Sequence, residues 1–147
     1  MTKPPDGITL RQFSLDDYDA VYAFWTAIGP GLGLSASDSR EEIAKKVMRD
    51  PDLFLLALDG DRIVGTVLGG FDGRRGMIYH LAVARDYRRR GLGRRLMADV
   101  EERLRAKGCR KCYLLVHNDN QHAIDFYTRD GWSDMTVRVK IMGKELQ

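Results

Sequence analysis

The spacing of apolar residues divides the chain into strands and helices. Apolar residues three or four positions apart predict helices over residues 18–28, 39–49 and 121–129, and a longer helix that begins at Gly91. The face of that longer helix is formed by Leu92, Leu96, Val100 and Leu104. Short apolar runs predict strands over residues 8–13, 53–58, 62–71, 77–83, 111–116 and 132–142. The predicted order of elements is β-α-α-β-β-β-α-β-α-β.

The residues between these runs indicate how the elements connect. Asp59-Gly60-Asp61 separates two apolar runs, and Asp-Gly in that setting is a strong hairpin signal. Residues 71–76 form a second turn, so three strands are predicted to form an antiparallel meander. The helix from Gly91 is predicted to join two neighbouring parallel strands, which gives a mixed sheet of the α/β class. Asp38 and Glu41 are predicted to cap the second helix.

Length and composition indicate one soluble globular domain over residues 1–147, because 44% of the residues are apolar and 31% are charged. No apolar run approaches the roughly 18–20 residues that span a bilayer, so no membrane partner is expected. The first seven residues contain no apolar stretch typical of a secretory signal, which favours a cytoplasmic location. The net charge of +3 is modest, but positive residues concentrate between Arg74 and Lys111. Such a segment attracts phosphate groups, on a cofactor or on a nucleic acid.

The most informative segment joins the strand at 77–83 to the helix at Gly91. It contains five arginines and two glycines: Arg88, Arg89, Arg90, Gly91, Leu92, Gly93, Arg94 and Arg95. The glycines allow a tight turn and close approach of a ligand, and the first helical turn offers unpaired N–H groups. Cations are unfavourable at a helix N-terminus unless an anion lies there, so the segment predicts a phosphate-bearing ligand. It matches neither the Walker A loop nor the complete dinucleotide fingerprint.

The two cysteines, Cys109 and Cys112, form a C-x-x-C pair that follows a helix and enters a strand. A redox pair of this spacing usually opens a helix instead. A structural zinc site would need two further ligands, and the three histidines do not supply the usual spacing. We therefore expect two reduced thiols and no metal.

The arginine-glycine segment, read as Arg88-x-x-Gly91-x-Gly93, resembles the acyl-CoA-binding signature [QR]-x-x-G-x-[GA] of the GNAT superfamily of N-acyltransferases. A second segment, NQHAIDFYTRDGW from Asn120 to Trp132, is similar to that superfamily's N-x-x-A-x-x-[FL]-Y-x-x-x-G-[FW]. The order of elements from Ile8 onward also agrees. The resemblance implies a GNAT-like mixed sheet of six or seven strands flanked by about four helices, and homodimers are common in that superfamily.

The resemblance also implies roles for particular residues. The backbone N–H groups of Arg90 to Arg95 would hold the pyrophosphate of acetyl-CoA, the acyl donor, and the side chains of Arg88, Arg90 and Arg94 or Arg95 would add charged contacts. The pantetheine arm would pair with the main chain of Leu81, Ala82 and Val83, and would contact Asn120 and Ala123. Tyr127 would donate a proton to the departing thiolate. Tyr127 as a core aromatic and Asn120 as a helix N-cap are the alternatives.

The general base is less visible in the sequence. Met77 occupies the position that looks equivalent to a catalytic glutamate in some members of the superfamily, and methionine cannot accept a proton. His80 is a candidate because imidazole titrates near neutral pH, although a structural role fits it equally well. Tyr79 and His117 are weaker candidates, and an ordered water is a further alternative.

The resemblance places the acceptor amine beside the first two helices, near Tyr22, Trp25 and Asp38, with Asp72 approaching from the other side. Either carboxylate could hold an ammonium group. The leading hypothesis is an acetyl-CoA-dependent N-acetyltransferase that uses direct transfer to a primary amine of a small molecule, peptide or protein. The alternatives are a non-catalytic acyl-CoA sensor and a basic module that binds nucleic acid, of which the second is disfavoured because the basic segment lacks aromatic stacking residues.

Overall fold

The computed structural model describes residues 6–146. Contacts between residues divide it into two compact units, a larger one that ends at Leu115 and a smaller one that begins at Val116. The prediction of a single domain stays a prediction. No helix in the described part of the chain is long and apolar enough to cross a membrane.

The larger unit contains all five strands of the sheet that residues 6–146 form. The strands are β1 (Ile8–Gln12), β2 (Phe54–Asp59), β3 (Arg62–Phe71), β4 (Arg75–Val83) and β5 (Lys111–Leu114). The helices of this unit are α1 (Tyr18–Ile28), α2 (Arg40–Arg49) and α3 (Leu92–Ala106), and the smaller unit contributes α4 (Gln121–Arg129). A short 3₁₀ turn, Ala36–Asp38, precedes α2.

The five strands lie in chain order, β1-β2-β3-β4-β5. The first four pair antiparallel, and β4 pairs parallel with β5. A parallel neighbour needs a crossover, and α3 supplies it. The predicted meander and the predicted parallel connection are therefore confirmed.

The two faces of the sheet carry different helices. On one face, Trp25 of α1 and Ile43 of α2 form a buried cluster with Phe54, Leu56 and Leu68. On the other face α3 packs close to β3, because a Cβ at Gly65 would lie 2.9 Å from Leu96 Cδ1 and one at Gly69 would lie 2.8 Å from Val100 Cγ2. Glycine at these two positions lets the helix approach the sheet at a distance that a side chain would prevent.

Most predicted elements are present, with two corrections. The bounds predicted for β3 and α4 agree with the structure. The cap predicted for α2 is wrong: Ser39 Oγ accepts the Glu42 amide at 3.2 Å, while Asp38 is used elsewhere.

The strand predicted over residues 132–142 is also wrong, so the sheet has five strands and not six or seven. Val137 and Ile141 in this segment are 93% and 74% exposed. Alternating β-branched residues favour extended backbone, but a strand also needs a neighbour that accepts its hydrogen bonds, and no strand of residues 6–146 pairs with this segment.

Candidate functional site

Strand β4 contains a β-bulge at its centre. Thr66 pairs with Ala82 and Leu68 pairs with Tyr79, so β4 advances three residues while β3 advances two. His80 lies at this point with a φ angle of 50°, a left-handed conformation that is uncommon for residues other than glycine. Bulges re-aim side chains and are common beside functional sites. Here the bulge turns the His80 ring toward α1, where it meets the edge of the Trp25 ring at 4.8 Å between centroids.

His80 is paired with a carboxylate from the turn before α2. Its Nε2 lies 2.6 Å from Asp38 Oδ1, and the two side chains are only 12% and 8% exposed. The other carboxylate oxygen of Asp38 accepts the Ser35 amide at 2.9 Å, and the Tyr18 hydroxyl donates to the Asp38 carbonyl at 2.7 Å. Burial opposes ionisation of Asp38, but the bonds from His80 and Ser35 outweigh it and hold the pKa of this carboxyl below its ordinary value.

A second chain of hydrogen bonds holds the backbone of the bulge. Trp25 Nε1 donates to Thr66 Oγ1 at 2.9 Å, and the same hydroxyl donates to the His80 carbonyl at 2.9 Å. Trp25 and Thr66 are fully buried. Trp25, predicted to lie near the acceptor amine, therefore contacts the bulge from within the core. Tyr22, on the same helix, is 41% exposed. Sequence reasoning missed Thr66; the available signal was a single hydroxyl within the apolar run of β3.

Only the first half of β4 is paired with β5. Pairing with β5 ends at Ile78 and Leu114, whereas β4 continues to Val83. Within residues 6–146 no strand pairs with that side of β4 after Ile78. The main chain of Leu81, Ala82 and Val83 therefore lies on a strand edge that can accept another extended group.

The arginine-glycine segment follows that edge and opens α3. Gly91 is the N-cap of α3 with a φ angle of 77°, and Arg89 is also left-handed at 64°. Arg88 Nε donates to the Val83 carbonyl at 3.1 Å, and the Arg90 guanidinium lies over the Tyr87 ring at 4.9 Å. No acidic residue occupies the first turn of α3, so the positive end of this helix is not neutralised by its own sequence.

Both the amide and the guanidinium of Arg95, predicted to contact phosphate, have partners within the protein. The Arg95 amide donates to the Gly91 carbonyl at 3.0 Å and thus belongs to the helix, which corrects the expectation that it helps to hold a pyrophosphate. The Arg95 guanidinium pairs with Asp6 at 3.1 Å and donates to the Ile8 carbonyl at 3.2 Å. It lies toward the start of β1. Leu92 is buried in the core and Gly93 lies beside it in the first turn of α3.

A groove of about 480 Å³ lies on the α2 side of the sheet, where β3 ends and β4 begins. Charged and aromatic side chains line it, among them Lys46, Arg49, Asp72, Arg75, Tyr79 and Tyr113. Lys46 is paired with the buried Asp50 at 2.7 Å. The amides of Arg74 and Arg75 donate to Asp72 and lower the pKa of its carboxyl, so Asp72 is anionic at neutral pH. The Arg75 guanidinium lies over the Tyr113 ring, 5.7 Å from its centroid.

The smaller unit holds the second motif. Asn120 caps α4, with its Oδ1 accepting the Ala123 amide at 3.2 Å, so the N-cap interpretation of Asn120 is confirmed. Tyr127 packs edge-on against Phe126 and Trp132, at 5.3 and 6.2 Å between ring centroids. Burial, with a smaller effect of Asp130, raises the pKa of Tyr127 to about 12.

The two cysteines are free thiols. Burial raises the pKa of Cys112 to about 11, with smaller effects of Glu101 and Cys109, so this thiol is protonated at neutral pH and a weak nucleophile. Among residues 6–146 there is no group of three or more side chains arranged to hold a metal ion.

Comparison with known proteins decides the family. The family model described as "Acetyltransferase (GNAT) family" matches residues 18–132. The chain belongs to the GNAT acetyltransferase family. An acetyltransferase of Pectobacterium atrosepticum is 39% identical over 137 residues, which cover 93% of this chain and 94% of that protein.

Solved structures agree with this assignment. Ard1 from Thermoplasma volcanium is 27% identical, with a TM-score of 0.72 over 84% of this chain and 81% of that one. PaiA N-acetyltransferase from Thermoplasma acidophilum, crystallised with coenzyme A, has the same fold: its TM-score is 0.68 at 20% identity, over 84% of this chain and 87% of that one. The GNAT fold and the acetyltransferase activity predicted from the two motifs are confirmed.

Proposed function

We propose that this GNAT acetyltransferase moves the acetyl group of acetyl-CoA directly to a primary amine within a ternary complex. The observation that carries the proposal is the free edge of β4 after Ile78, which leads straight to the N-terminus of α3. An extended pantetheine arm can pair with the main chain of Leu81 to Val83, as a peptide pairs with a sheet edge. The amides and arginines at the start of α3 then suit the pyrophosphate. The coenzyme A complex of the PaiA protein supports the same donor.

We propose His80 as the general base. Its Nε2 faces Asp38, so Nδ1 is the ring nitrogen that would exchange a proton with the substrate. The His80 side chain is 12% exposed. Nδ1 would take a proton from the incoming ammonium group and release it to solvent. The amine nitrogen would then attack the thioester carbon and lose its second proton to Nδ1, and the carbon–sulfur bond would break as the tetrahedral intermediate collapses to the amide and the thiolate.

We propose Tyr127 as the acid that returns a proton to the departing thiolate. With a pKa raised to about 12, its phenol keeps its proton at neutral pH, which a general acid requires. Tyr127→Phe should lower kcat and leave the affinity for acetyl-CoA nearly unchanged. Titration calorimetry with acetyl-CoA, together with thiol release in the presence of amines, measures both quantities. Equal turnover by the Phe variant would remove Tyr127 from the mechanism.

We propose that the acceptor enters through the groove lined by Arg75, Tyr79 and Tyr113. Tyr79 and His80 point to the same face of the sheet, because Tyr79 contacts Gly70 in the groove and the His80 ring contacts α1. Asp72 in this groove is the candidate to attract the ammonium group, as the sequence predicted. Asp72→Asn should raise KM for the acceptor without changing KM for acetyl-CoA, because it removes the carboxylate proposed to attract the ammonium group. Asp61→Asn, in the exposed turn between β2 and β3 and outside the groove lining, is the matched control.

A broad screen tests the whole proposal. Acetyl-CoA binding is measured first, and release of the free thiol is then followed with amino acids, polyamines, aminoglycosides and peptides. Binding and turnover together support the proposal. Failure to bind acetyl-CoA at millimolar concentration refutes it, whereas binding without turnover of any amine favours a sensor.

A further inference from the structure

The carboxylate of Asp38, which contacts the proposed base His80, also determines which ring nitrogen of His80 carries the hydrogen. Asp38 Oδ1 and His80 Nε2 are 2.6 Å apart in a nearly buried setting. An ionised carboxylate can only accept hydrogen bonds, so Nε2 must carry the hydrogen that lies between them. When the imidazole is neutral, its lone pair is therefore on Nδ1, the nitrogen that does not face Asp38. The wrong tautomer would leave no acceptor on that side of the ring.

Both partners are held in place by other elements. The Ser35 amide and the Tyr18 hydroxyl fix Asp38, the first through the carboxylate and the second through the backbone carbonyl. The Trp25 ring and the Thr66 hydroxyl fix the ring and the carbonyl of His80. His80 keeps a left-handed backbone in addition, a conformation that the surrounding structure must stabilise. Neither side chain can therefore turn without breaking several contacts.

We propose that Asp38 is a positioning residue for His80: it fixes the Nε2–H tautomer, keeps the lone pair of the neutral ring on Nδ1 and stabilises the imidazolium that forms when Nδ1 accepts a proton. This inference rests on the proposed function, because it assigns His80 the role of base. It also gives Asp38 a different task from the acceptor-binding role expected from the sequence, since both of its carboxylate oxygens are already engaged.

Among residues 6–146, Asp38 is the charged group placed in direct contact with His80. From the turn before α2 it faces Asp38, and from α1 the Tyr18 hydroxyl contacts Asp38, with the Arg40 guanidinium 5.7 Å from the Tyr18 ring centroid. The groups that face it from β3 and α1, Thr66 and Trp25, do not titrate. If the charge of Asp38 is removed, none of these other groups can replace it as the anionic partner of His80.

Asp38→Asn tests the proposal. Asparagine has one acceptor oxygen, and if that oxygen keeps the Ser35 amide, its NH₂ group faces Nε2 and moves the ring hydrogen to Nδ1. In the serine protease triad the same change costs about 10⁴-fold in kcat through the wrong tautomer. We expect kcat to fall at least about 100-fold, KM for acetyl-CoA to change less than about twofold, and the acid limb of kcat/KM to move to lower pH.

The matched control is Asp17→Asn. Asp17 occupies an equivalent capping turn, where it accepts the Ser14 amide at 2.9 Å and pairs with Arg11, but it does not contact His80. It removes the same charge from a similar turn and should leave kcat within about threefold. Circular dichroism and thermal unfolding establish that both variants are folded.

Nitrogen-15 NMR of the histidine rings separates this proposal from the proposed function. At the high-pH plateau of the His80 ring shifts, where the ring is neutral, the wild-type protein should show the Nε2–H tautomer and Asp38→Asn should show the Nδ1–H tautomer. Absence of acetyl transfer by the wild-type protein refutes the proposed function, and the tautomer result still decides whether Asp38 fixes the ring. An unchanged tautomer in Asp38→Asn, or a kcat and pH profile equal to those of Asp17→Asn, overturns the proposal.

Discussion

Thr66 links the core to the bulge, and replacing it with valine tests that link. Thr66→Val keeps the shape of the side chain but removes the hydroxyl that accepts from Trp25 Nε1 and donates to the His80 carbonyl. The indole N–H is then buried without a partner, which costs about 1–3 kcal/mol, and the lost bond to the carbonyl costs about 0.5–1.5 kcal/mol. We expect the free energy of unfolding to fall by about 2–4 kcal/mol.

Thr66→Ser is the informative companion, because it keeps the hydroxyl and loses one buried methyl group, at a cost of about 0.5–1.5 kcal/mol. If hydrophobicity alone determined stability at this fully buried site, Thr66→Val would be more stable than Thr66→Ser. If the hydrogen bonds determine it, Thr66→Ser is the more stable variant. Urea unfolding followed by circular dichroism measures the free energy of unfolding of both variants. Valine equal to serine, or more stable, would refute the reasoning.

A double-mutant cycle with Trp25→Phe isolates the indole contribution. Phenylalanine has no N–H to leave unpaired, so Thr66→Val should cost about 1–3 kcal/mol less in that background than in the wild-type protein. Additive effects would show that the bond between Trp25 and Thr66 does not contribute.

Three further predictions follow from individual contacts. Gly69→Ala should destabilise the fold by about 1–3 kcal/mol, because the new Cβ would lie 2.8 Å from Val100 Cγ2; the cost should shrink in a Val100→Ala background, and equal costs in both would contradict this. In a Cys109→Ser variant, the remaining thiol of Cys112 should react with a disulfide reagent at a rate that rises about tenfold per pH unit up to about pH 11; a plateau near pH 8 would count against its burial. The pKa of Asp38 is lower in the folded protein than in the unfolded chain, so its ionised carboxylate stabilises the fold fully above about pH 4, and this stabilisation is lost as the pH falls through the folded pKa. The difference in unfolding free energy between the wild-type protein and Asp38→Asn should therefore narrow in acid. A difference that stays constant from pH 7 to pH 2 would show that ionised Asp38 does not stabilise the fold.

Local patterns predicted the elements well where the pattern and the hydrogen bonds agree. The Asp-Gly turn placed the β2–β3 hairpin, and the periodicity of Leu92, Leu96 and Val100 placed α3. The segment with Val137 and Ile141 has an equally clear strand pattern, but pairing depends on another segment, and a pattern within one segment does not show whether a neighbour is available.

The candidate site was predicted residue by residue, but not as an arrangement. His80 and Asp38 were both singled out, yet for different tasks, because 42 positions separate them and no spacing rule joins them. The bulge that turns His80 toward Asp38 was not predicted, since residues 77–83 around it contain no glycine. Thr66 was missed because its role depends on hydrogen bonds with two partners in other elements, Trp25 and His80.

The bulge also reverses the parity of β4. Before it, odd-numbered Tyr79 pairs with Leu68 of the α1–α2 side, and even-numbered Ile78 pairs with Gly69 of the α3 side. After it, even-numbered Ala82 joins the α1–α2 side. The bulge is the one extra residue that this change of parity requires, so deleting a residue here would restore regular alternation and leave both halves of β4 on their own layers. Such a deletion should therefore cost the site more than the fold, because it removes the backbone conformation that holds His80 against Asp38.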